Sequence, residues 1–208
     1  YSADVAEPAP APRRSESSRN FGLVKLTKEV MKFLRVGDSK YREIFIRRIE
    51  QLATGDRSRI LAKNLTGSNT IIYETYLEQK SGHRILWTES SDGSLLVWYV
   101  AKHKDVSRLM DLIDDAESRS SRQLTLASEL PEMDDSVDGR ECETATGEHI
   151  LLDPFGNTPL KLYAVHREDI RRLDDTAWKP PLHLTTRERE IVETRGTVLV
   201  FGRSGTGT

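Results

Sequence analysis

The residues with the plainest chemical reading stand at the far end of the sequence. Gly202-Arg203-Ser204-Gly205-Thr206-Gly207-Thr208 has the Gly-x4-Gly spacing of a phosphate-binding loop, whose backbone N–H groups cradle phosphates and whose next residues should be Lys and then Ser or Thr. Position 208 is Thr where that Lys is needed. Without the lysine, a Mg2+-binding hydroxyl, an acidic metal-binding strand and an arginine finger, the residues present are not expected to turn over ATP. A second set is cationic. Lys40, Arg42, Arg47, Arg48, Arg84, Lys102 and Lys104 fall in a stretch, 20–110, that carries 16 Lys/Arg against 10 Asp/Glu, whereas 111–148 carries 3 against 12. A basic block beside an acidic one points to a polyanionic partner for the basic part. It equally describes two solvated surfaces of opposite sign.

Hydrophobic spacing supplies the elements that must position these groups. Residues 1–19 are Ala/Pro/Ser-rich without apolar period and read as a disordered lead. Phe21, Leu23, Val24 and Leu26 read as a strand, and Thr27 offers an N-cap to a helix through Leu34. After Gly37-Asp38, the apolar positions Tyr41, Ile44, Phe45, Ile49 and Leu52 follow helical spacing to near Gly55. The runs around Tyr73, Ile85 and Val97, separated by Ser81-Gly82 and Asp92-Gly93, predict a three-strand antiparallel meander. Val106, Leu109, Met110 and Ile113 predict one closing helix, giving β-α-α-β-β-β-α, an α+β domain over 21–116.

Residues 117–148 read as an acidic linker, either a plain spacer or a tether whose Asp134, Asp135, Asp138, Glu141 and Glu143 fold back on the basic domain. A hairpin follows over 149–165, turning at Pro154-Phe155-Gly156-Asn157, and then a short helix from His166 to Leu173. Thr185 caps a further helix, with Glu188 completing a capping box. The continuous apolar run Val198-Leu199-Val200-Phe201 reads as a buried strand feeding the glycine loop.

Composition excludes several classes. With 208 residues, one Cys and 37% hydrophobic content, the chain has room for one ordinary domain or two small ones. No apolar run approaches the roughly 18 residues of a membrane-spanning helix. Cys142 has no partner for an internal disulfide, and no four zinc ligands cluster. With no secretory pattern in the residues present, an intracellular site, cytoplasmic or nuclear, is the default expectation.

Four local texts carry a resemblance: Tyr41-Arg42-Glu43, Lys63-Asn64-Leu65, Gly82-His83-Arg84-Ile85-Leu86-Trp87, and Trp98-Tyr99-Val100-Ala101-Lys102-His103-Lys104-Asp105-Val106. With the element order, they make residues 21–116 similar to the small RelE/ParE toxin superfamily, ribosome-dependent endoribonucleases or gyrase poisons. The resemblance implies a site of Arg84, the strand arginine, with Lys102, His103 and Lys104 at the strand exit, and RNA or a ribosome as partner. Cleavage by transesterification needs a base for the 2′-hydroxyl, cations for the phosphorane and an acid for the leaving oxygen. Where the family's nucleases often place lysines, this chain has Tyr73-Glu74-Thr75-Tyr76-Leu77-Glu78, and Leu109 and Met110 stand near the family's terminal Tyr. A binding module with a degenerate nuclease site is therefore the leading expectation, an active metal-independent endoribonuclease the alternative. The competing role for Arg84 is an ion pair with Glu74 or Glu78 across the hairpin.

The capped helix, apolar strand and glycine loop over about 182–208 resemble the opening of a UvrD-like superfamily 1 helicase motor. That resemblance implies ATP and Mg2+ as cofactors of the parent protein and the rest of the motor as an intrachain partner. The expected organisation is a lead (1–20), a RelE-like domain (21–116), an acidic linker (117–148), a connecting hairpin and short helix (149–181), and the incomplete start of a P-loop domain (182–208). A third expectation is a domain that only packs on the motor, binding no nucleic acid.

Overall fold

The structure is a computed structural model that describes residues 20–78, 82–129, 150–156 and 158–197, without the side chains of 122–129 and Arg187. The apolar strand and glycine loop expected at 198–208, and the acidic residues from Asp134 to Glu143, lie outside the described residues.

The chain starts as the spacing predicts. Strand β1 (Leu23–Thr27) runs into helix α1 (Lys28–Val36) at Thr27, whose hydroxyl oxygen accepts from the Val30 N–H at 3.4 Å and donates to the Trp98 carbonyl at 2.6 Å. One side chain thus satisfies an orphan helix donor and ties the helix start to the sheet. Helix α2 (Ser39–Ala53) begins at Asp38, which caps the Lys40 N–H, and ends before Gly55, whose φ of 87° lies in the left-handed region that glycine tolerates. Strands β2 (Lys63–Asn64), β3 (Tyr73–Tyr76), β4 (His83–Glu89) and β5 (Leu95–Lys102) follow, then a 3-10 turn (His103–Asp105) and helix α3 (Val106–Glu129). The β-α-α-β-β-β-α order is the one the sequence predicts, with the two-residue β2 as an unpredicted addition.

A six-stranded mixed sheet in the order β2-β3-β4-β5-β1-β6 organises the molecule, an α+β fold. β3, β4 and β5 form the antiparallel meander, β1 lies parallel to β5, and β6 (Leu162–His166) lies antiparallel to β1. Each face buries its own apolar layer. Phe21, Val24, Leu26, Ile85, Trp87 and Val97 pack against Val30 and Leu34 of α1 and Phe45, Ile49 and Leu52 of α2. Leu86, Leu96 and Trp98 pack against Val106, Leu109 and Ile113 of α3. An irregular register between Leu86 and Trp87 leaves Trp98 unmatched in the β4–β5 ladder, so that Trp98 and Tyr99 both belong to the α3 side.

Two expectations need correction. Helix α3 does not end near residue 116 but continues to Glu129, and in the added stretch Arg119 and Ser120 hold main-chain groups of residues 152–156, a contact that nothing in the local apolar spacing announces. The segment 149–165 does turn at 153–158, with Leu160 N–H on the Leu151 carbonyl at 2.7 Å, but the strand it delivers pairs with β1, 141 positions away at Val24 and Val165. Residues 162–166 therefore belong to the same sheet as the first domain. The short helix is a 3-10 run (Arg167–Asp174) that buries Ile170 and Leu173 and sets Arg171 Nε 2.6 Å from Glu50 of α2. Helix α4 (Thr186–Glu193) has the expected capping box at Thr185 and Glu188.

Candidate nucleic-acid interface

The four residues expected to act together do not share one face: Arg84 and Lys102 fall on opposite sides of the sheet, and His103 and Lys104 follow in the 3-10 turn. Arg84 stands opposite Ala101 and Tyr76, while its neighbour His83 stands opposite Lys102. Strand alternation puts Arg84 on the α3 side with Glu74 and Tyr76, and His83 and Lys102 on the α1–α2 side.

Arg84 is buried, 7% exposed, over Glu74, 1% exposed. Its Nε lies 3.7 Å from Glu74 Oε2, too far for a hydrogen bond, and both atoms are buried without a hydrogen-bond partner among the described residues. The guanidinium carbon sits 3.8 Å from the Tyr76 ring centroid, and Nη1 donates to the His83 carbonyl at 3.1 Å. Glu74 Oε1 accepts from Lys63 at 2.7 Å, and that contact holds the exposed lysine's pKa above its usual value. Arg84 thus belongs to a Lys63–Glu74–Arg84 charge group, buried at Glu74 and Arg84 and exposed at Lys63, with the arginine stacked on Tyr76. The ion-pair reading of Arg84 describes its surroundings, with Glu74 rather than Glu78 as partner; Glu78 holds Lys40 at 3.1 Å.

Lys102, His103 and Lys104 are exposed, at the end of β5 and in the 3-10 turn. The turn is fixed by the His103 N–H donating to the Gly82 carbonyl at 2.8 Å. Lys102, Lys104 and Arg108 line one open hollow of about 480 Å3 together with His83, Phe33, Val100, Ala101 and Leu109, and Asp105 is its only carboxylate. Among the described residues, none of the three cations forms an ion pair with a carboxylate. The His83 ring lies 4.9 Å from that of Tyr41, which supports it from α2.

Sequence reasoning missed Arg108 and Phe33. Arg108 had a signal: it follows Lys104 by four positions at a helix start, which places both on one side. Phe33 had none, because α1 reaches this edge only through tertiary packing.

No group of three His, Cys, Asp or Glu side chains that could hold a metal occurs among the described residues, and none of their helices is long and apolar enough to cross a membrane. Compared with known proteins, the chain matches no family model, no curated protein and no solved structure.

Proposed function

We propose that this domain is an RNA-binding module that grips phosphates along Lys102, His103, Lys104 and Arg108 and does not cut them. The observation that carries the reading is the gathering of three unpaired cations around one hollow with a single carboxylate, whereas Lys40, Lys63, Arg171 and Arg172 each have a carboxylate within 2.6–3.1 Å. Unpaired surface cations release counterions when phosphates dock, so affinity falls with salt. The nuclease alternative is disfavoured because Arg84, the strand arginine of the family resemblance, is buried against Glu74 on the other face. A ribosome would offer the same phosphate chemistry. The helicase-like text at 182–208 supports a further part of the proposal, that the module delivers RNA to an ATP-driven motor in the same chain, to which ATP and Mg2+ would belong.

The test is fluorescence anisotropy with a labelled RNA between 50 and 200 mM NaCl. Replacing Lys102, Lys104 and Arg108 together by Ala should flatten the log K against log salt slope by about 2, at roughly 0.7 per single-strand phosphate contact. The RNA should remain full length on a gel. Absence of binding at 50 mM NaCl rejects the reading.

A further inference from the structure

The open hollow under the cationic rim also has apolar side chains in its wall, which phosphate binding alone does not use. Phe33, Val100 and Leu109 wall the hollow under Lys102, Lys104 and Arg108. A second hollow of about 380 Å3 adjoins it, sharing Phe33 and Val100 and continuing to Val36 and Tyr99. Both volumes fall in the roughly 300–1,000 Å3 range of small-molecule sites.

Topology explains the trough. β1 pairs with β5 only as far as Val97 before Thr27 turns the chain into α1. Residues 99–102 therefore have a strand on the β4 side alone. The space that a longer β1 would fill is open, with α1 on one bank and the start of α3 on the other. Val36, at the end of α1, is 80% exposed beside it.

The charge is graded along the trough. Three cations and one carboxylate surround the first hollow, while Lys32 and Glu29 offset each other at the second. A duplex presents phosphates and base edges but keeps its base faces stacked, and so leaves apolar walls uncovered. An unpaired strand brings an aromatic face and a phosphate to the same place, which is how single-strand sites combine ring stacking with a basic groove.

We propose that the trough takes two consecutive bases of an unpaired RNA segment, one on each side of Phe33 and Val100, with the adjoining phosphates on Lys102, Lys104 and Arg108. This rests on the RNA-binding reading and names its substrate class. The probe is a labelled ten-nucleotide A/U RNA without self-complementarity, compared by anisotropy at 100 mM NaCl with the same strand annealed to its complement, and with an abasic strand of equal length. The single strand should bind at least ten-fold more tightly than either. Phe33→Leu, which keeps an apolar side chain but removes a ring that also packs on Phe45 at 6.4 Å between centroids, should weaken it about five-fold under conditions where urea unfolding shows the variant still fully folded. Equal affinity for duplex or abasic strand overturns the base-binding trough and leaves the phosphate-gripping module standing. Failure of every probe to bind removes both.

Discussion

Arg84 shows why residue type and local text can point to a site that register then dissolves. The sequence offered it two roles, phosphate contact and cross-strand ion pair, and only strand alternation separates them: one position away, His83 faces the hollow, while Arg84 faces Glu74. Removing one partner of a buried charge pair costs about 3–5 kcal/mol. Lys63 still holds Glu74 in the variant, so Arg84→Ala should lose about 3 kcal/mol in urea unfolding. The salt slope of RNA binding should not change. A stable variant with lost RNA affinity would return Arg84 to the interface. Asp92 gives a pH signature. Burial pushes its carboxyl up, but hydrogen bonds from Lys25 Nζ at 2.7 Å and from Ser94 outweigh that and bring it down to about 2. The unfolded carboxyl titrates near 3.9, so the contact stabilises fully above about pH 4 and fades as pH falls through 2. Half-exposed, it contributes on the order of 1 kcal/mol after solvent screening. The urea midpoint of the wild type should therefore fall more between pH 5 and pH 2 than that of Asp92→Asn.

Among the elements, those set by local pattern were legible and those set by distant partners were not. Thr27 and Thr185 announce two helix starts by their chemistry, and each caps as read; Asp38, read only as part of a turn, caps a third. The second half of α3 carries few apolar positions and reads as linker, yet the turn at 153–158 docks on it. The Arg119 guanidinium donates to the carbonyls of Asp153 at 3.0 Å, Pro154 at 2.9 Å and Gly156, while the Leu152 N–H donates to Ser120 Oγ at 2.9 Å. No periodicity encodes a guanidinium reaching main-chain oxygens more than thirty positions on. Arg119→Ala should leave these carbonyls without their charged donor, at about 2 kcal/mol locally. Amide exchange at Leu152 and Leu160 should then quicken by roughly ten- to thirty-fold relative to the β4 amides. Asp114 works similarly five positions earlier in the helix, accepting from Ser68 Oγ and from the Asn69 and Thr70 N–H groups. Asp114→Ala should loosen residues 68–70 without moving α3, a change that exchange at Thr70 would report.

For the whole molecule, the sequence predicts an α+β domain, a linker and a separate connecting piece, and the sheet joins the first to the last. A strand's pattern says that it pairs but not with whom, so nothing in Leu162 to His166 names β1 as its neighbour. The pairing also fixes the smallest unit that should fold. A chain ending at residue 129 would expose the outer edge of β1 and the surface that Val165, Ile170 and Leu173 cover, and it should aggregate or exchange rapidly where a chain through residue 197 does not.

That same pairing sets a timetable on the ribosome. At about 5–20 residues per second, the 141 positions between Val24 and Val165 correspond to roughly 7–30 s of elongation, during which β1 has emerged and its last partner has not been synthesised. Nascent copies on one message pass through that interval with an uncapped strand edge, and so the span in which a holding chaperone would be needed is written into the distance between two valines.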